Sequence, residues 1–148
     1  DCHPEAVEIE PARTTTGEAL PTLTHLLQSE QIIELQQLVR RVPVPDHIYQ
    51  FAVKLVRKAR PLEAATPSWL KPLVAWGAGP RAVQNLILGG KTRAALHGHY
   101  MVRLEDIQEV AAPVLTHRLI TTFAAQSEGI DARKIVQRLV TETLAERS

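Results

Sequence analysis

Residues 45–61, PDHIYQFAVKLVRKARP, constrain this chain more than any other stretch. Ile48, Phe51, Ala52, Leu55, Val56 and Ala59 follow the spacing i, i+3, i+4, i+7, i+8, i+11, which is one face of an α-helix and cannot be one face of a strand. Pro45 suits the first helical position, Asp46 puts a negative charge in the first turn, and Pro61 stops the run. Lys54, Arg57 and Lys58 fall on the other faces. A helix with so continuous an apolar stripe must bury it against further elements.

The rest of the chain supplies those elements, and they are helical too. Residues 29–41 carry Ile32, Ile33, Leu35, Leu38 and Val39, with Ser29 as an N-cap and Arg40 and Arg41 complementing the dipole at the far end. VPVP, residues 42–45, breaks that helix. Residues 61–72 form a proline-punctuated loop anchored by Trp69. In WGAGPRA, residues 76–82, Gly77 and Gly79 make a turn and Pro80 opens a helix whose stripe is Val83, Leu86, Ile87, Gly90 and Ala94. Gly89 and Gly90 each cost ~1 kcal/mol of helix propensity, so the pair implies either a close neighbour or a kink. After HGHYMV, residues 97–102, a further helix places Ile107, Val110, Ala111 and Val114 in register, with Pro113 to kink or divide it. Asp131 caps a final helix bearing Ile135, Leu139 and Val140, with Ile130 and Ile135 as a hydrophobic staple. Strand signals are confined to short pieces near residues 100–102 and 119–123, and no repeat is present. Aromatics make up 4% of the chain, so the core must be built from Leu, Ile, Val and Ala, which favours helices over a sandwich. The expected fold is all-α, a bundle of five to six helices over residues 22–148. Residues 1–21, with three prolines and three threonines and no periodicity, read as an extended connector.

Charge and cysteine content narrow the function. A net charge of +1 gives no global case for nucleic acid or an anionic membrane. The single cysteine, Cys2, excludes an internal disulfide framework and fits a reducing, cytoplasmic setting. No apolar run approaches the ~20 residues that span a bilayer, and no signal peptide is present. The chain opens on Asp1 and reads as part of a longer protein. LGGKT, residues 88–92, lacks the first glycine of a phosphate loop and sits inside a helix pattern, so small residues for packing explain it better. His97 and His99, two apart in a turn with Tyr100, have no Cys or carboxylate spacing to complete a metal set, and no metal site is expected. His117 suits a helix end. Cys2 has no partner base. Glu105 and Asp106 begin a helix and answer its dipole. Lys54, Arg57, Lys58 and Arg60 could meet nucleic acid, but a solvated helical face is the commoner meaning of such a run.

Arg81 resists such dismissal. It stands in the first turn of its helix behind Gly-Ala-Gly-Pro, where the dipole disfavours a cation. A bound anion would compensate, since backbone amides and a guanidinium aimed the same way make a phosphate site. Pairing with a carboxylate of a neighbouring helix would compensate equally well.

At this motif the chain resembles a known family. WGAGPRAVQNLILGGKTRAALHGHYMVRLEDIQEVAAPVLTHRL, from residue 76, is similar to the lid subdomain of MoxR-type AAA+ ATPases. VRRVPVPDHIYQFAVKLVRKARP upstream resembles the first lid helices, and FAAQSEGIDARKIVQRLV downstream resembles the last one. The likeness runs in unbroken order over residues 20–146. It implies that Gly79, Pro80 and Arg81 lie near the nucleotide phosphates, with Arg81 as the sensor-2 arginine contacting the γ-phosphate when lid and core close. ATP and Mg2+ are then cofactors of the full-length protein, and none is expected on this chain alone, which lacks the Walker A loop, the Walker B strand and the arginine finger. The implied partners are the protein's own ATPase core, a ring homo-oligomer and von Willebrand A-domain proteins, in chaperone-like maturation of complexes. Two departures touch helix starts: Arg103 and Pro45 stand where capping Ser or Thr is common in the family. The competing readings are a helical nucleic-acid-binding module using the Lys54 to Arg60 face, and an interaction domain in which Arg81 is structural.

Overall fold

The computed structural model describes residues 9, 11–13, 16 and 26–146; the extended connector expected over residues 1–21, Cys2 included, lies mostly outside them, and its described residues are helical, not extended. The chain divides into two units, Asp1–Glu34 and Leu35–Ser148. From Ser29 on, the described residues form α1 (Ser29–Arg41), α2 (Asp46–Lys58), α3 (Arg81–Leu96), α4 (Leu104–Leu115), the short α5 (Phe123–Ser127) and α6 (Ala132–Ala145). A 3-10 turn, Thr116–Arg118, extends α4, and two short strands, β1 (Val74–Trp76) and β2 (Ile120–Thr121), pair antiparallel. The fold is all-α as expected, but the apolar stripe of α1 does not join the core: none of its residues is buried, and Ile32, Ile33, Leu35 and Leu38 are exposed.

The stripe of α2 is the centre of the core. Ile48, Phe51, Ala52, Leu55, Val56 and Ala59 are all buried, and each large side chain removed from water contributes about 1.5–3 kcal/mol. Leu86 and Ile87 of α3, Ile107 and Leu115 of α4, and Ile135, Val136 and Leu139 of α6 close around it. Pro45 is the N-cap and not the first helical residue: its ψ of 149° is extended, while its carbonyl accepts from the Ile48 amide at 2.9 Å. Ser29 is likewise the first residue of α1 and not its cap, and the Gln31 side chain reaches back to the Gln28 amide at 2.8 Å. Asp131 caps α6 as expected, accepting from the Lys134 amide at 2.7 Å.

The glycine pair resolves in favour of close packing. α3 runs unbroken from Arg81 to Leu96, and a Cβ on Gly90 would stand 2.6 Å from Cδ1 of Ile107. A Cβ on Gly89 would only touch Val110, at 3.4 Å. The neighbour that approaches is therefore an α4 side chain. Pro113 sits inside α4, which ends two residues later and tightens into the 3-10 turn.

The strands differ from expectation in part. β2 falls within the 119–123 segment, but its partner is Val74–Trp76, and residues 100–102 form no strand. Lys58 also departs from the sequence reading: it is 5% exposed, because its stem packs into the core while its ammonium reaches Glu146 at 2.5 Å. Trp69 anchors its loop as expected, donating from Nε1 to Glu142 at 2.6 Å with the Arg138 guanidinium 4.0 Å over its ring.

Candidate functional site

The turn before α3 is held against the end of α2. Gly77 leaves no room for a side chain: a Cβ there would lie 2.7 Å from the Arg60 Cα and closer still to the Ala59 carbonyl oxygen. Arg60 reinforces that approach, donating from Nε to the Ala78 carbonyl at 2.8 Å while Nη1 meets Glu63 at 3.2 Å. Thr66 ties down the same loop by donating its hydroxyl to the Arg60 carbonyl. Ala78 and Ala82 are buried on either side, so Gly79, Pro80 and Arg81 project outward from a fixed base.

The helix start itself is open. Pro80 is the N-cap, with φ −58° and ψ −30°, and no side chain caps this end. No acidic residue stands in the first turn. The positive end of the α3 dipole and the Arg81 guanidinium therefore occupy one exposed place, which raises the local affinity for an anion. Among the described residues Arg81 makes no ion pair and no side-chain hydrogen bond. Beside it runs a groove of about 350 Å³, walled by Arg60, Leu62, Glu63 and Trp76 and floored by residues 77–80. Trp76 is 70% exposed and Leu62 99% exposed there.

Comparison with known proteins places this geometry. Residues 68–139 match the AAA lid domain family model, a span that begins just before Trp69 and contains the whole Gly79 to Arg81 turn. Chaperone MoxR1 of Mycobacterium tuberculosis is 29% identical over 124 residues, which cover 84% of this chain and 33% of that protein. The uncharacterized protein YeaC of Bacillus subtilis is 31% identical over 121 residues, 82% of this chain and 35% of its own. Over residues 68–139 this chain is similar to AAA lid domains, and over most of its length to MoxR1. It spans about a third of the length of these curated relatives. In fold it is similar to a protein from Cytophaga hutchinsonii assigned as an ATPase, with a TM-score of 0.78 and 24% identity over 95% of this chain and 43% of that one.

The remaining sequence candidates take structural places in the lid. The basic run is paired within the domain: Lys54 and Lys58 both meet Glu146, at 2.8 and 2.5 Å, and Arg57 and Arg60 both meet Glu63, at 2.9 and 3.2 Å. The two lysines hold the Glu146 carboxyl down to about 2, and hydrogen bonding from Arg57 leads in lowering that of Glu63. Phosphate binding through this face would have to break those pairs. LGGKT lies within α3, packed against α4. His97 Nδ1 contacts the Arg93 carbonyl at 2.9 Å, and His117 lies exposed beside Arg118 in the 3-10 turn. No cluster of metal-ligating side chains occurs among the described residues, and none of their helices is long and apolar enough to cross a membrane.

Two residues carry more than the sequence reading assigned them. Asp106 does more than answer a dipole: it is 1% exposed and accepts from the Arg103 amide at 2.9 Å. That bond is the N3-to-N-cap half of a capping box, whose other half an arginine side chain cannot supply. Asp106 also lies 3.4 Å from His99 Nδ1 and 3.6 Å from the buried Arg93 Nε, joining the end of α3 to the start of α4. Arg60, read only as part of a basic run, is the residue that pins the Arg81 turn. Its position directly before Pro61, at the helix end, was the available signal.

Proposed function

We propose that this lid closes over ATP held by an α/β AAA+ core, with Arg81 as the sensor-2 residue that contacts the terminal phosphate. The observation that carries the reading is an exposed arginine, unpaired among the described residues, on an uncapped helix start within the lid-family match. An arginine so placed gains a charge-assisted hydrogen bond, worth about 1.5–3 kcal/mol, only when the phosphate is present and the lid is closed. That difference is enough to bias closure toward the ATP-bound state. The described residues around Arg81 fit a phosphate better than a metal: Glu63, the carboxylate of the neighbouring groove, is already committed to Arg57 and Arg60. Mg2+ would therefore be held by the core.

The same resemblance supports a ring assembly, a cytoplasmic setting, chaperone-like work on partner complexes, and von Willebrand A-domain proteins among the partners. The deciding experiment is ATP turnover by the protein containing both core and lid, wild type against Arg81→Ala. Loss of a donor to the transferring phosphate lowers turnover about 100-fold with folding intact. Unchanged turnover would make Arg81 structural and return the domain to an interaction role.

A further inference from the structure

A second groove, of about 340 Å³, lies along α3 one turn beyond Arg81. Its floor is apolar, made by Tyr49 of α2 with Val83, Ile87 and Leu88 of α3. Tyr49 is 43% exposed and Leu88 41% exposed, so two large side chains stand half in water at its rim. Arg40, from the last turn of α1, Gln84 and Lys91 complete the wall. Lys91 donates from Nζ to the Arg40 carbonyl at 2.7 Å, which brings the two cations to the same edge. Neither meets a carboxylate among the described residues, and no acidic side chain lines the groove. Asp46, one turn before Tyr49, is outside it.

This arrangement contrasts with the basic run of α2. There every cation has a carboxylate partner, with Glu146 shared by Lys54 and Lys58 and Glu63 by Arg57 and Arg60. Here an apolar trough carries on one rim two positive charges that no carboxylate among the described residues answers, with Arg41 beside Arg40 in the last turn of α1. Such a surface is a poor monomer surface, because it exposes apolar area and a local positive field together. A partner carrying large apolar side chains beside carboxylates satisfies both at once. Nucleic acid would neutralise the cations but leave Leu88, Ile87 and Val83 without a counterpart.

We propose that this groove is a docking site for an acidic, apolar-anchored segment of a partner protein, such as one face of an amphipathic helix bearing Leu and Glu. The site is separate from Arg81 and does not require nucleotide. Its apolar floor supplies the contact area, and Arg40 and Lys91 select the acidic partner and hold it in register.

The test is fluorescence anisotropy of the full 148-residue chain with three labelled helical peptides of one Leu pattern, carrying Glu, Gln or Lys at the flanking positions. A single-stranded oligonucleotide serves as competitor. The Glu peptide is expected to bind at least about tenfold tighter than the Lys peptide. Arg40→Glu should weaken it about tenfold and improve the Lys peptide, and Tyr49→Ala should weaken all three. Arg81→Ala should leave the series unchanged, which separates this site from the nucleotide reading. Lys91→Glu repeats the charge test, and circular dichroism confirms that each variant is folded. Methyl spectra should show Val83, Ile87 and Leu88 shifting on titration. The proposal is overturned if the Lys peptide binds as well as the Glu peptide, if Arg40→Glu has no effect, or if shifts map elsewhere. It is equally overturned if the oligonucleotide displaces the peptide completely at low stoichiometry, or if the groove proves covered by a second copy in solution.

Discussion

Replacing each of the two consecutive glycines of α3 by alanine should change stability in opposite directions. Either substitution removes a mid-helix glycine and gains about 1 kcal/mol of helix propensity. At position 89 the new methyl meets Val110 at an ordinary 3.4 Å, so the gain is kept and Gly89→Ala is expected to stabilise by about 0.5–1 kcal/mol. At position 90 the methyl would stand 2.6 Å from Ile107 Cδ1 and 3.1 Å from Val102 Cγ1, with both partners buried. Overpacking of that kind costs about 1–3 kcal/mol, so Gly90→Ala should be destabilising by up to about 2 kcal/mol. Since Ile107 Cδ1 is the main obstacle, Ile107→Val should relieve it. Alone, Ile107→Val costs about 0.5–1.5 kcal/mol, but combined with Gly90→Ala the two should be coupled by at least about 1 kcal/mol. Urea unfolding of the four proteins gives the cycle directly, with constant m-values as the check on two-state behaviour. If Gly90→Ala stabilises as much as Gly89→Ala, or the cycle is additive within about 0.5 kcal/mol, then close packing of α3 on α4 is not why glycine stands there.

Further outcomes follow from the turn and the clasps. Gly77→Ala must push the turn away from Ala59 and Arg60 and should cost about 2–3 kcal/mol, whereas Gly79→Ala, with nothing within 4 Å, should be nearly neutral; thermal melts of the pair will show it. Glu146, Glu142 and Glu63 all have lowered carboxyl pKa values, so their contribution is complete above the ordinary carboxylate range and is lost as pH falls, for Glu146 down to about 2. For Glu142, burial opposes the lowering but is outweighed by Arg138, Trp69 and Lys58. Melting temperature should thus drop on acidification, and Glu146→Gln should flatten that profile. Leu55→Ala, at a fully buried position of α2, should lose about 2–5 kcal/mol in denaturant unfolding.

What the sequence made legible follows the length of each signal. α2 was readable to its stripe because six apolar positions repeat at helical spacing between two prolines. β1 was not, since three residues with one buried position carry no alternation, and their partner lies more than forty positions away. Lys58 was misplaced because a lysine on the edge of a stripe can bury its stem if a carboxylate arrives from another helix, and Glu146 is remote in sequence. Asp106 shows the same limit: its local cap was inferable, but its approach to Arg93 depends on how α3 and α4 pack. Arg81 stood out because the misfit is local, a cation on the positive end of its own helix. The structure adds what local reasoning left open, that no carboxylate among the described residues answers it.

The most direct measurement of the central claim is the affinity for ATP and for ADP, by calorimetry on the protein with core and lid together, wild type against Arg81→Ala. If Arg81 meets the terminal phosphate, the variant loses about ten- to a hundredfold in ATP affinity while ADP affinity stays within about twofold. Equal losses for both nucleotides, or no loss for either, would contradict it.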